Sequence, residues 1–100
     1  MQDLTEKIKQ QLYEVIDPEL GINIVDLGLV YGITCKNGAA QITMTLTTPV
    51  CPLDGYFREA IERTLQELSD VANVEIFFTF DPPWNKSKIS PEGKLALGIV

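Results

Sequence analysis

The dipeptide Asn37-Gly38 constrains this chain more than any other feature of its sequence. Both residues tolerate the positive φ that the two central positions of a type I′ hairpin turn require. Centring a turn on the pair sets Ile33 opposite Ile42, Tyr31 opposite Met44 and Leu29 opposite Leu46. Residues directly opposite in an antiparallel pair share a face, so this set forms one apolar surface. The other face then carries Thr43, Thr45 and Thr47 opposite Gly32, Val30 and Gly28. Cys35 falls near the turn on the apolar face, which makes it a core residue. Cys51 falls beyond the far end of the hairpin, roughly 20 Å away at the rise of a strand. A disulfide needs Cα atoms within about 7 Å, so the register argues against a Cys35–Cys51 bridge. The same register extends the first strand back to Asp26, level with Pro49 and close to Cys51.

The remaining elements follow from periodicity. Leu4, Ile8, Leu12, Val15 and Ile16 share one helical face, and Pro18 is expected to stop that helix near Asp17. Asp3 and Glu6 have capping-box spacing at its start. Asp17-Pro18-Glu19-Leu20-Gly21 reads as a turn. A second helix carries Leu53, Phe57, Ala60, Ile61, Leu65 and Leu68 in one stripe. Pro52 suits its first position, and Glu59 and Arg63 form an i,i+4 pair on the outside. Val74, Ile76, Phe78 and Phe80 alternate as a third strand. Phe77 points to its other face, which suggests cover there from a second subunit. Asp81-Pro82-Pro83-Trp84 breaks the strand, with Trp84 expected to cap the core. Ser90-Pro91-Glu92 opens a short last helix ending before Gly98. The order α-β-β-α-β-α predicts an α+β fold. It is a two-layer sandwich with a three-stranded mixed sheet and helices packed on one face, in a single domain over residues 1–100. The crossover from second to third strand predicts that those two run parallel.

Cys51 carries the chemical interest. It lies in Thr47-Thr48-Pro49-Val50-Cys51-Pro52, where a strand pattern passes into a helix pattern. Unpaired N–H groups and the partial positive charge of a helix start favour a thiolate, the form that attacks or binds metal. The chain has no histidine to serve as a base. An activated sulfur without that partner points to metal–sulfur chemistry, or to handling by a partner protein, ahead of a thiol-dependent enzyme. A non-metal adaptor using Trp84 and the open sheet face is the other alternative. The net charge of −6 and the absence of a basic cluster or G-x-x-G loop argue against nucleic acid. No apolar run approaches the ~20 residues of a membrane span. The N-terminus lacks the order of a signal peptide, so a reducing cytoplasm is expected.

Four motifs, taken in order and spacing, resemble one family. They are Asp17-Pro18-Glu19; Asp26-Leu27-Gly28-Leu29-Val30-Tyr31; Thr47-x-Pro49-x-Cys51-Pro52; and Asp81-Pro82-Pro83-Trp84. Together they are similar to the small iron–sulfur cluster assembly domain of SufT-like and PaaD-like proteins and of the eukaryotic cytosolic targeting subunit. The likeness runs from about Leu4 to the C-terminus. It implies a maturation factor for metal–sulfur centres rather than an enzyme, with Cys51 as the reactive thiol and metal ligand. By motif position it adds Asp17, Glu19, Asp26 and Thr47 as supporting cofactor-site residues. One thiolate cannot complete a cluster site, which usually takes four protein ligands. Any iron–sulfur cluster or iron ion would therefore be transient and shared between chains. The expected partners are a homodimer mate, an iron–sulfur scaffold or carrier, and client apo-proteins.

Overall fold

Asn37 and Gly38 adopt φ of 53° and 79°, the paired positive values of a type I′ turn. The structure is a computed structural model that describes residues 4–46 and 54–98. Within these ranges the order is α1 (Leu4–Leu12), β1 (Val30–Lys36), β2 (Ala39–Met44), α2 (Asp54–Leu65), β3 (Asn73–Phe78), a 3-10 turn (Lys86–Lys88) and α3 (Pro91–Leu97). The sheet order is β1-β2-β3, with β1 antiparallel and β3 parallel to the central β2. The mixed sheet and the parallel crossover are those the sequence predicts.

Ile33 faces Ile42 and Gly32 faces Thr43, as the turn dictates. The register then slips: Val30, and not Tyr31, lies opposite Met44. Tyr31 is the extra residue of a β-bulge, which frees its side chain from the ladder. Its hydroxyl donates to the Pro82 carbonyl at 2.8 Å. Leu29 correspondingly accepts from the Thr45 amide at 2.8 Å and does not pair with Leu46.

The core is built from α1, α2 and the inner sheet face, with Ile8, Leu12, Ile42, Phe57, Ile61 and Leu65 all buried. Burial of side chains this size stabilises by about 1.5–3 kcal/mol each. Cys35 is half-buried and packs against this cluster. Glu59 and Arg63 pair at 2.7 Å, but both are largely exposed and contribute little.

Helix α1 ends at Leu12, before the expected stop near Asp17. The chain turns there because Ile16 bridges Asn23 in antiparallel fashion, flanked by the Ile24 amide on the Val15 carbonyl and the Asp17 amide on the Ile22 carbonyl. Val15 stays buried while Ile16 faces out. β3 ends at Phe78, and Phe80 beyond it is exposed. The 3-10 turn has no counterpart in the sequence reading. Asp3, Pro52 and Leu53 lie outside the described residues, as does the Cys51 end of the Cys35–Cys51 separation.

Gly28 has φ 76°, and a Cβ there would lie 2.2 Å from the Lys88 carbonyl oxygen. The neighbour observed at Gly28 is the backbone of the 3-10 turn; Thr47, expected opposite it, lies outside the described residues. Left-handed geometry alone disfavours a larger residue by about 1–2 kcal/mol, and the contact adds to it. Gly28→Ala is expected to lower unfolding free energy by about 2–4 kcal/mol in urea titration. An unchanged midpoint would contradict the close approach.

Candidate functional site

The segment 47–53, which carries Thr47, Pro49 and Cys51, lies outside the described residues. Both of its flanks are described and held. Upstream, the end of β2 is fixed on two sides. The Thr45 amide donates to the Leu29 carbonyl, and the Met44 carbonyl accepts from the Thr79 amide at 2.9 Å. Thr45 and Leu46 are buried. Downstream, the first turns of α2 are anchored by Tyr56. Its hydroxyl donates to the Ile16 carbonyl at 3.1 Å, and its ring meets buried Phe57 edge-on at 5.3 Å.

Ile16 leads directly into the first motif. The Asp17 carboxylate is buried and accepts from the amides of Glu19 at 2.8 Å and Leu20 at 3.2 Å. The Gly21 amide closes on the Asp17 carbonyl at 2.7 Å. Asp17 thus shapes the turn that ends the Ile16–Asn23 bridge, in the manner of an Asx turn. The Glu19 side chain is on the surface of that turn.

Asp26 departs from its expected place. The ladder ends at Val30, so Asp26 is not a strand residue; it sits in a turn begun by Asn23, and Pro49 lies outside the described residues. The Asn23 side chain accepts from the Asp26 amide and donates to the Asp26 carboxylate, both at 2.8 Å. The other carboxylate oxygen accepts from the Ser90 hydroxyl at 2.9 Å, and the Asp26 carbonyl accepts from the Ser90 amide at 2.7 Å. Ser90 is in turn the N-cap of α3, accepting from the Gly93 amide at 3.0 Å. Gly93 is buried against Asp26 and Ile89, with no room for a side chain.

The last motif docks on the same turn. The Trp84 indole donates to the Leu27 carbonyl at 2.7 Å and its ring packs against the core. Lys88 places its ammonium 5.2 Å from the centre of the Tyr31 ring. The structure therefore brings Asp26, Leu27, Gly28 and Tyr31 together with Pro82, Trp84, Lys88 and Ser90. Asn23 and Ser90 were not singled out from sequence. Ser90 was read as a cap, and its second bond to Asp26 spans 64 residues. Among the described residues, no three His, Cys, Asp or Glu side chains converge to hold a metal. Nor is any helix among them long and apolar enough to cross a membrane.

The family profile described as "Iron-sulfur cluster assembly protein" matches residues 5–76, and the chain belongs to that family. It is 42% identical over 97 residues to the Fe-S protein maturation auxiliary factor YitW of Bacillus subtilis, covering 96% of this chain and 95% of that one. It is 40% identical over 86 residues to the Fe-S protein maturation auxiliary factor SufT of Staphylococcus aureus, covering 85% and 98%. Among solved structures, a domain of unknown function from Bacillus anthracis superposes with a TM-score of 0.91 at 41% identity, covering 96% and 92%.

Removing the Asp26 carboxylate leaves the Ser90 hydroxyl and the Asn23 amide without their partner in a half-buried place. Asp26→Ala is expected to destabilise by about 1–3 kcal/mol. It should also speed amide exchange in α3. Native-like exchange in α3 of Asp26→Ala would contradict this role.

Proposed function

We propose that this protein assembles or delivers iron–sulfur clusters to client apo-proteins, with the Cys51 thiolate as its iron-facing group and no turnover of its own. The observation that carries this reading is the end-to-end match to maturation auxiliary factors, which spans 95% of one such relative. The described motif residues add support. Asp17, Asp26, Tyr31 and Trp84 are each engaged in hydrogen bonds that hold the fold. Their part is positional: they fix the turns and straps next to the flanks of segment 47–53. Thr47, in the same segment as Cys51, and Glu19, on the Asp17 turn, are the residues proposed to meet the cargo beside the thiolate.

The cluster is cargo here, held in transit. A cluster usually takes four protein ligands, and Cys51 supplies one. The remainder come from a second copy, from a scaffold or carrier, or from the client. A thiolate of this kind is kept available by a reducing compartment, so the cytoplasm is the proposed place of action.

Cys51→Ala should retain the native circular dichroism and thermal midpoint. In cells whose only copy is this variant, cluster-containing client enzymes should fall to the activity seen with no copy at all. Full client activity with a folded Cys51→Ala protein would contradict the proposal.

A further inference from the structure

The helices α1 and α2 cover one side of the sheet, and the other side is open among the described residues. Its side chains fall in three rows set by the strand register. One row is Lys36, Ala39 and Asn73; the next is Thr34, Gln41 and Glu75; the last is Gly32, Thr43 and Phe77. The middle row is joined by side-chain hydrogen bonds, from Thr34 to Gln41 at 3.2 Å and from Gln41 to Glu75 at 3.5 Å. In the last row Phe77 is 50% exposed at one outer strand. At the other outer strand Gly32 leaves a gap, with only the Thr43 Cβ within 4.0 Å of where its own Cβ would be.

We propose that this face pairs with the same face of a second copy, about a two-fold axis parallel to the strands. Stacked sheets lie about 10 Å apart with strands nearly aligned. Of the two in-plane axes that keep strands aligned, one runs across them. That axis would set Phe77 over Asn73 and Gly32 over Lys36, which fits neither. The axis along the strands lays β1 of each copy over β3 of the other. Phe77 then enters the gap at Gly32 of the second copy, and the reverse contact forms by symmetry. The same superposition sets Lys36 over Asn73 of the second copy, with Glu75 of that copy one row along, so unlike charges lie diagonally across the pair twice. Because the axis follows the strands, both β2 strands run in one direction. Both β2 strands then end at the same edge of the pair.

The face measures roughly 15 Å by 20 Å from strand spacing and rise, at the small end for an interface, so the pairing is weak and reversible. Sedimentation velocity of the full chain, reduced and without iron, from about 10 μM to about 1 mM tests it. A monomer–dimer equilibrium is expected. Gly32→Val fills the gap while suiting an exposed strand, and Phe77→Thr removes the insert; each should weaken pairing at least ~10-fold. Cys51→Ala should pair normally. A monomer at every concentration, or a dimer indifferent to both face variants, overturns the proposal. Since no iron is present, that result leaves the cluster reading standing. A cluster reading that fails in client assays leaves the pairing standing.

Discussion

The turn at Leu27-Gly28 and the chain from Trp84 to Ser90 meet at backbone level, and the rest of the architecture depends on that meeting. The indole N–H of Trp84 occupies the Leu27 carbonyl, and the Lys88 backbone lies where any side chain on Gly28 would stand. One residue earlier, the Asp26 carboxylate and carbonyl both bond Ser90, which caps α3. Two residues later, the bulge releases Tyr31 to reach Pro82. Two sequence segments more than 50 residues apart are thus fastened by half-buried bonds at Trp84 and Ser90 and by an exposed one at Tyr31. Leaving the half-buried groups unpaired is costly, so the fastening is cooperative rather than a sum of weak contacts.

This arrangement holds both described flanks of the segment that carries Cys51. Segment 47–53 starts at a strand end pinned from both neighbours, through Leu29 and Thr79, and ends at a helix pinned by Tyr56 to Ile16. The strand end is tied to the Trp84 strap through Leu29, and the helix start to the Asp17 turn through Ile16. The described motifs, at Asp17, Asp26–Tyr31 and Asp81–Trp84, are therefore linked to one another and to the two flanks of segment 47–53. In the proposed function, one thiolate supplies one of the four protein ligands a cluster usually takes, and the rest come from other chains.

Much of this was legible in the sequence, and the misses have physical causes. The hairpin register held from Lys36 to Gly32 because Asn37-Gly38 admits only one tight turn. It failed at Tyr31, where the competing partner is Pro82, 51 residues away and invisible to local pattern. The stop of the first helix was placed by Pro18. The actual stop is set by the Ile16–Asn23 bridge, a pairing too short to leave a strand signature. The close approach of the Lys88 backbone to Gly28 left no trace in the sequence, since register extends only along strands and this backbone arrives from outside the sheet. Asp26 drew notice as a carboxylate near a thiol; its bonds to Asn23 and Ser90 show what the carboxylate does within the fold. Trp84 was read as a cap on the core, and it is one.

The central claim is that Cys51 is the iron-facing group. Anaerobic reconstitution with ferrous iron and sulfide, followed by visible absorption, tests it most directly when the native chain is compared with Cys51→Ala. The account predicts a sulfur-to-iron charge-transfer band in the native protein and none in the variant. A band of equal strength in both, or in neither, would contradict it.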